Sequence, residues 1–344
     1  MRPLLTTAAR RLWRDRETLQ LGRSPGRSAV LAGVDPVTRA ALALLDGTRD
    51  RDGFVFAAAA VGCPPARAAL LLDLLASAGL LEDAGAELGP LAGLERPERD
   101  RLTADVASLA LVRGDGGLPA ARDRARTRVL VIGAGRVGAP LAGLLATAGV
   151  GAVDVLDEVP AAAGDAGVGG LGLADVGRSR GEVARERLRA AAPSSAGAVP
   201  RADLVVLAPS RPDQLEDARG LFDPTTPHLL AEVRETVGVV GPLVLPGRTA
   251  CLRCLDLTRT DLDPDWPALA VQLTMPSRSR LVCDGPLAVA VAAQAAFQVL
   301  ALVDGTTDPA AVGGTLELAL PDWRWRRRTW PLHPDCGCVL PETG

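Results

Sequence analysis

Beyond residue 127 the chain alternates short apolar runs with stretches of helical periodicity. Residues 128–132 (Arg-Val-Leu-Val-Ile) are apolar after the first position, which predicts a strand buried on both faces of a parallel sheet. A helix is predicted directly after it over residues 139–148, where leucines recur at helical spacing. Later apolar runs predict strands at residues 153–157, 203–207, 228–233 and 237–244. The order of elements predicts an α/β fold with a doubly wound sheet.

The most apolar stretch, residues 287–303, is predicted to be a buried core helix. It is rich in alanine and carries Gln294 and Gln298, whereas a membrane span needs about 20 more strongly apolar residues. Basic residues follow the start of the chain without an apolar core, so no signal peptide is predicted. We therefore expect a cytoplasmic protein with no membrane partner, in which cysteines stay reduced.

The N-terminal part of the chain predicts a smaller unit. Strands are predicted at residues 18–22, 28–33 and 79–83, and helices at residues 35–45, 54–61 and 65–78. The third helix is expected to place Leu70, Leu71, Leu74 and Leu75 on one face. The unit resembles a winged helix, but this helix carries only Arg67 as a base, so we expect no nucleic-acid partner. Such a unit can instead bind an extended peptide by strand addition at its sheet edge.

Composition narrows the possible functions. The chain of 344 residues is 48% hydrophobic and 23% charged, the balance of a globular protein long enough for two domains. Its net charge of −3 argues against broad nucleic-acid binding. The chain contains no lysine, tyrosine or asparagine, which excludes mechanisms that depend on a lysine, such as Schiff-base formation. Cys63 and Cys283 stand alone and are expected to be buried, unreactive thiols.

Two pairs of cysteines lie far apart in the sequence, Cys251 with Cys254 and Cys336 with Cys338. Four thiolates that converge in space form a closed tetrahedral zinc site, and each short spacing lets one pair bind one side of the metal. We therefore predict a structural Zn²⁺ that ties the last residues to the middle of the domain. Two disulfides are the alternative, and His333 could replace one sulfur.

A glycine-rich turn directly follows the first apolar run beyond residue 127. Gly133, Gly135 and Gly138 have the spacing of a phosphate-binding turn between a strand and a helix, and Arg136 lies within it. Asp157 ends the next predicted strand, close to the offset of about 20 residues expected for a ribose-binding carboxylate. These are the candidate nucleotide-binding residues. The alternative is that the glycines serve only tight packing.

Several motifs occur in a characteristic order. They are the glycine-rich turn, residues 156–157 (Leu-Asp), residues 175–180 (Asp-Val-Gly-Arg-Ser-Arg), residues 246–254 (Pro-Gly-Arg-Thr-Ala-Cys-Leu-Arg-Cys) and the closing cysteine pair. This order resembles the ThiF/MoeB/HesA superfamily of ubiquitin-activating-type adenylyltransferases over about residues 128–338. The resemblance implies a Rossmann-like sheet with a zinc clamp, ATP with Mg²⁺, and a homodimer. It assigns the ribose to Asp157 and puts Arg180, the candidate catalytic residue, at the usual position of a lysine.

One branch of this superfamily resembles the whole chain, through sequences such as residues 241–244 (Gly-Pro-Leu-Val) and 333–338 (His-Pro-Asp-Cys-Gly-Cys). Its members carry an N-terminal winged-helix module that binds leader peptides, and they assist YcaO cyclodehydratases in making azole and azoline peptides. The expected domains are a peptide-recognition module at residues 1–90, a linker at 91–127 with one strand at 107–112, and a ThiF-like domain at 128–344. The expected partners are a bacteriocin-like precursor peptide and a YcaO-type cyclodehydratase.

The chain departs from the family pattern at the phosphate-binding positions. The Asn-x-x-Arg-Gln segment expected between Val159 and Gly177 is absent, and residues 164–170 (Gly-Asp-Ala-Gly-Val-Gly-Gly) stand there instead. The metal-binding aspartate expected after the third strand is missing, since residues 207–211 read Leu-Ala-Pro-Ser-Arg. Charged groups of this kind supply much of the transition-state stabilisation in such reactions. We therefore expect weakened nucleotide binding and loss of adenylation.

The first hypothesis is thus a non-catalytic adapter that delivers a leader peptide to a separate cyclodehydratase. The second is a working adenylyltransferase that acts on a peptide C-terminus, with Arg178, Arg180 or Arg211 replacing the missing groups. A dinucleotide-dependent oxidoreductase shares the glycine-rich turn, but the zinc clamp argues against it. A DNA-binding regulator is the fourth and least supported class.

Overall fold

The computed structural model describes residues 1–24, 28–210, 213–218, 220–275 and 282–338. The chain divides into two compact units, Met1–Asp123 and Arg124–Gly344. Much of the linker expected at residues 91–127 is helical rather than loop-like, as described below.

The first unit combines short strands with helices. They are β1 (Pro3–Leu5), β2 (Arg11–Trp13), β3 (Leu19–Leu21), β4 (Ala29–Leu31), α1 (Pro36–Ala43), α2 (Arg51–Ala60), α3 (Pro65–Ser77), β5 (Leu81–Asp83) and α4 (Arg96–Arg113). Strands β2, β3 and β4 form an antiparallel sheet in that order, and β1 pairs with β5. The predicted strands and helices between residues 18 and 83 are confirmed, whereas β1 and β2 were not predicted from the sequence.

The buried face of α3 differs from the prediction. Leu71, Leu72 and Leu75 are buried, but Leu70 and Leu74 are 57% and 49% exposed. Each residue turns a helix by about 100°, so an arc centred between Leu71, Leu72 and Leu75 directs the other two leucines towards solvent. The expectation of a single face holding Leu70, Leu71, Leu74 and Leu75 is therefore wrong, and α3 keeps an exposed apolar ridge.

Helix α4 replaces a strand and a loop that were predicted from the sequence. Residues 107–112, expected to form a strand, lie inside α4, which ends at Gly114 with a φ of +70°. The mixed-charge sequence before them forms the exposed start of this helix, where Arg96 and Asp100 lie 3.6 Å apart. The following helix, α5 (Leu118–Arg126), likewise covers residues expected to form a loop.

The second unit is built on a seven-stranded mixed sheet. Its strands are β6 (Arg128–Ile132), β7 (Ala152–Leu156), β8 (Leu204–Leu207), β9 (His228–Arg234), β10 (Val237–Val244), β11 (Gly314–Ala319) and β12 (Trp325–Thr329). The order is β12-β11-β10-β9-β8-β6-β7, with β7, β6, β8 and β9 parallel and the rest antiparallel. Because β6 lies between β7 and β8, the chain changes direction there, which is where such sheets bind ligands.

Helices and short turns complete the second unit. They are α6 (Gly138–Thr147), α7 (Arg180–Ala191), α8 (Asp213–Ala218), α9 (Leu252–Leu262), α10 (Trp266–Leu273) and α11 (Gly285–Asp304), with 3-10 turns at Ala163–Asp165 and Leu173–Asp175. Helix α11 is long and apolar enough by composition to span a membrane. It packs against α6, β9 and β10, and Leu287, Val291 and Val299 are fully buried. The prediction of a buried core helix is confirmed.

Candidate functional site

The glycine-rich turn joins β6 to α6 where the sheet changes direction. Gly133 has a φ of +102°, and a Cβ on it would lie 2.1 Å from the carbonyl oxygen of Ala208. A Cβ on Gly138 would lie 2.0 Å from the carbonyl oxygen of Gly133. Both distances are well inside van der Waals contact, so packing alone requires glycine at these two positions.

The carboxylate of Asp157, just after β7, is already bonded within the protein. Its Oδ2 accepts the N–H of Ala134 at 2.8 Å, and its Oδ1 accepts the N–H of Val159 at 3.0 Å. Arg180 Nε lies 3.2 Å from Oδ2, and only 3% of the Asp157 side chain is exposed. The structure brings the candidate ribose ligand next to the turn, but its carboxylate is almost fully enclosed.

Arg180, the first residue of α7, lies beside Asp157 and contacts two further polar side chains. Its Nη1 lies 3.1 Å from Asp165 Oδ1 and donates to Ser210 Oγ at 3.2 Å, and its side chain is 5% exposed. A Cβ on Gly135 would lie 2.0 Å from Ser210 Oγ and 3.8 Å from Arg180 Nη1. The hydroxyl and the guanidinium therefore project over the glycine-rich turn. We call Asp157, Asp165, Arg180 and Ser210 the turn cluster.

Asp165 and Ser210 were not among the residues predicted from the sequence. Both lie in segments where the expected family motifs are missing, so only their polarity in glycine- and alanine-rich surroundings could have drawn attention to them. Arg178, a proposed substitute for the missing groups, forms an ion pair of 2.6 Å with Glu186 instead, which raises the pKa of Arg178. The third substitute, Arg211, lies outside the described residues.

Arg136 and Cys283 meet beside the glycine-rich turn. Arg136 Nη1 donates to the carbonyl oxygen of Cys283 at 2.6 Å. Burial raises the pKa of the Cys283 thiol, and the nearby Arg136 only partly offsets this effect. The thiol is therefore protonated at neutral pH, and Cys63 is buried in the core of the first unit. Both observations agree with the expectation of unreactive thiols, although Cys283 is partly rather than fully buried.

The four cysteines predicted to bind zinc lie together. Sγ–Sγ distances are 3.4 Å for Cys251–Cys336 and for Cys254–Cys338, and 3.9 Å for Cys251–Cys254. All four sulfurs lie within 4.8 Å of one another, and all four thiols are free. Sulfurs bound tetrahedrally at about 2.3 Å from a zinc ion are about 3.8 Å apart, so this donor set fits a metal. A disulfide needs about 2.05 Å, so the disulfide alternative does not hold.

Hydrogen bonding makes one of these thiols more acidic than the others. Burial disfavours the Cys254 thiolate, but the N–H groups of His333 and Cys251 and the neighbouring thiols outweigh it and lower its pKa to about 7. Burial raises the pKa of Cys338 to about 11 and also raises the pKa of Cys336. Hydrogen bonds from these two thiols to the Cys254 thiolate act in the same direction. A bound cation would displace the remaining protons, because thiolates are the metal ligands.

The cysteine cluster connects residues 333–338 to α9. The N–H of His333 donates to Cys254 Sγ at 3.4 Å, while its Nε2 lies 2.9 Å from Asp261 Oδ2. The imidazole is therefore engaged with a carboxylate and does not replace a sulfur. Trp330, which is buried beside the cluster, donates from Nε1 to Thr315 Oγ1 at 3.0 Å.

A glycine-rich turn at the switch point of a mixed sheet, followed by a four-cysteine cluster, defines an α/β domain of the ThiF type. The ThiF family model matches residues 107–206, and the chain thus carries a ThiF-family domain. No curated protein sequence matches the chain.

Solved structures share the fold over nearly the whole chain. E. coli MccB with ATP aligns with a TM-score of 0.70 at 14% identity, covering 99% of this chain and 100% of that chain. E. coli MccB with MccA-N7isoASN aligns with a TM-score of 0.69 at 15% identity, covering 98% and 99%. The selenomethionine form of PaaA aligns with a TM-score of 0.66 at 18% identity, covering 95% and 99%. At these identities the likeness establishes a common fold.

Proposed function

We propose that this chain is a leader-peptide-binding partner protein of ribosomal peptide biosynthesis whose ThiF-type domain is catalytically silent. It would present a bacteriocin-like precursor peptide to a YcaO-type cyclodehydratase. The observation that carries the proposal is the turn cluster, in which Arg180 already binds Asp157, Asp165 and Ser210.

Adenylation needs free cationic groups for the nucleotide phosphates and a carboxylate for Mg²⁺. The guanidinium of Arg180 contacts two carboxylates whose side chains are 3% and 7% exposed. The contact with Asp165 is hydrogen-bonded, whereas Nε faces Asp157 as an ion pair without a hydrogen bond. Breaking a buried ion pair is costly, since it leaves an uncompensated charge. Ser210, a neutral side chain, projects over the turn. The proposal therefore assigns no catalytic role to the ATP and Mg²⁺ that the resemblance implies.

Peptide capture is assigned to the first unit. Its strand β4 lies at the edge of the β2-β3-β4 sheet, and Val30 on this strand is 47% exposed. An edge strand presents backbone groups to which an extended peptide can add. Leu70 and Leu74 of α3 offer exposed apolar contacts. The microcin C7 biosynthetic enzyme MccB, which shares the fold, is solved in complex with N-formylated MccA.

A structural Zn²⁺ is assigned to Cys251, Cys254, Cys336 and Cys338. The sulfur spacing and the lowered pKa of Cys254 support this assignment. The ion would hold the C-terminal residues against α9 and would take no part in a reaction, because four protein ligands leave no open coordination position.

A homodimer through the sheet domain is also part of the proposal. Helix α11 buries one side in the core, yet Phe297 and Val289 on the same helix are 64% and 37% exposed. We assign this exposed apolar side of α11 to the contact between the two copies.

The test is a fluorescence-anisotropy titration of the full-length protein with the labelled leader segment of a bacteriocin-like precursor peptide. We expect micromolar or tighter binding, weakened at least tenfold by Leu70→Asp with Leu74→Asp. Phe56→Asp on α2 is the matched control, because Phe56 is 81% exposed but lies on another helix. Absence of peptide binding by the unmodified protein would contradict the proposed function.

A working adenylyltransferase acting on a peptide C-terminus is the second candidate. It is favoured by the match to MccB solved with ATP over 99% of this chain and by the retained glycine-rich turn. Peptide-dependent exchange of labelled pyrophosphate into ATP, measured with the purified protein alone, would establish it. Exchange no faster than without protein would leave the adapter as the supported function.

A further inference from the structure

Arg180 is held between two buried carboxylates. The side chains of Arg180, Asp157 and Asp165 are 5%, 3% and 7% exposed, and both carboxylates lie within 3.2 Å of the guanidinium. Two carboxylates against one guanidinium carry a formal charge of −1. A buried site with this balance is unfavourable for a further anion, since like charges repel strongly where water is excluded.

Local backbone structure fixes the position of Asp165. The residue ends the 3-10 turn Ala163–Asp165, and its Oδ2 accepts the N–H of Ala162 at 2.8 Å. This bond leaves Oδ1 facing Arg180 Nη1 at 3.1 Å. The carboxylate is thus oriented towards the guanidinium by its own turn.

The same guanidinium nitrogen lies over the glycine-rich turn. Arg180 Nη1 and Ser210 Oγ are bonded to each other, and both lie within 4 Å of the place where a Gly135 Cβ would stand. A phosphate bound at the turn would meet these two groups first. Asp165 and Ser210 already accept hydrogen bonds from this nitrogen, Nη1, whereas the buried Nε makes none with the described residues.

The geometry points to Asp165 as an internal anion that takes the place of a nucleotide phosphate and closes the glycine-rich turn to nucleoside triphosphates. Asp165 is in this sense the specificity-determining residue of the site. This inference rests on one part of the proposed function, namely that the ThiF-type domain does not catalyse adenylation. Its consequence is that a single neutral substitution restores an anion site at Arg180.

Asp165→Asn is the direct test, because the amide oxygen can still accept the Ala162 N–H. Asp175→Asn is a closely matched control. Asp175 ends a second 3-10 turn, and its Oδ2 accepts the Gly172 N–H at 2.8 Å, but it pairs with Arg187 rather than Arg180. Each full-length variant is titrated calorimetrically with Mg²⁺ and a non-hydrolysable ATP analogue.

We expect Asp165→Asn to bind the analogue at least tenfold more tightly than the unmodified protein and Asp175→Asn to leave the affinity unchanged. Equal affinity of Asp165→Asn and unmodified protein would overturn the inference, and so would micromolar binding by the unmodified protein. If Asp165→Asn does not fold, Asp165→Ser, which keeps an acceptor for the cap, replaces it.

The outcome is separable from that of the proposed function. Leader-peptide binding is measured by anisotropy and is expected to be the same for Asp165→Asn and the unmodified protein. If the unmodified protein does not bind the peptide, the adapter function is contradicted. If Asp165→Asn binds the nucleotide analogue no more tightly than the unmodified protein, only the role of Asp165 is contradicted.

Discussion

Removing one partner of the buried ion pair between Arg124 of α5 and Asp304 at the end of α11 should strongly destabilise the second unit. Its two hydrogen bonds, Nε–Oδ1 and Nη2–Oδ2, are both 2.7 Å long, and the side chains are 9% and 8% exposed. Removing one partner of such a pair costs about 3–5 kcal/mol, because the other charge stays buried without compensation. Asp304→Ala should therefore lower the free energy of unfolding by about that amount.

The assay is urea unfolding of Asp304→Ala, Arg124→Met and the double variant, which isolates the coupling between the two side chains. The surface pair Arg128–Asp203 is the control, since its bond is 2.8 Å but its side chains are 45% and 43% exposed. An exposed pair is worth about 0.2–1 kcal/mol. A coupling energy for the buried pair no larger than that of the surface pair would refute the reasoning from burial.

Four further predictions concern the metal cluster, pH, the glycine-rich turn and helix α6. Cys254→Ser should abolish bound zinc, measured by plasma mass spectrometry, and destabilise the second unit, since structural zinc contributes about 10–16 kcal/mol in small domains. Burial lowers the pKa of His228 below 6.5, so stability that is complete above pH 6.5 is lost as pH falls through the folded-state pKa. His228→Gln should remove this dependence in thermal unfolding between pH 7.5 and pH 5. Gly133→Ala should destabilise by roughly 3 kcal/mol or more, because its φ is +102° and its Cβ would clash with Ala208. Gly143→Ala in α6, with no atom within 4 Å of its Cβ, should stabilise by up to about 1 kcal/mol.

Contrary results would be equally clear. Unchanged thermal stability after complete zinc removal would contradict the structural role of the cysteine cluster. An identical pH profile for His228→Gln and the unmodified protein would contradict a contribution from that imidazole. A folded Gly133→Ala as stable as Gly143→Ala would show that the turn can relax around a side chain.

Elements with a strong local pattern could be predicted from the sequence. The run at residues 128–132 contains no charged residue after the first, so its burial in β6 follows from composition alone. The convergence of Cys251 and Cys254 with Cys336 and Cys338 followed from their spacing, because short pairs suit one metal. The apolar run and the short spacing within each cysteine pair are both local sequence patterns, so both could be recognised without the structure.

Features set by packing could not be predicted in this way. Residues 107–112 have strand-like composition, but the helix that starts at Arg96 continues through them to Gly114. The choice between Leu70 and Leu72 as the buried residue of α3 depends on where the sheet lies. The meeting of Asp165, Arg180 and Ser210 joins three segments through the path of loops, for which single-residue propensities give no information.

The central claim is that this protein presents a precursor to another enzyme without adenylating it. The most direct measurement is a reconstituted reaction of a bacteriocin-like precursor peptide with a YcaO-type cyclodehydratase, with and without this protein, followed by mass spectrometry. The account predicts loss of water from the precursor only when this protein is added, and loss of that effect with Leu70→Asp and Leu74→Asp. Equal modification of the precursor without this protein would contradict the account.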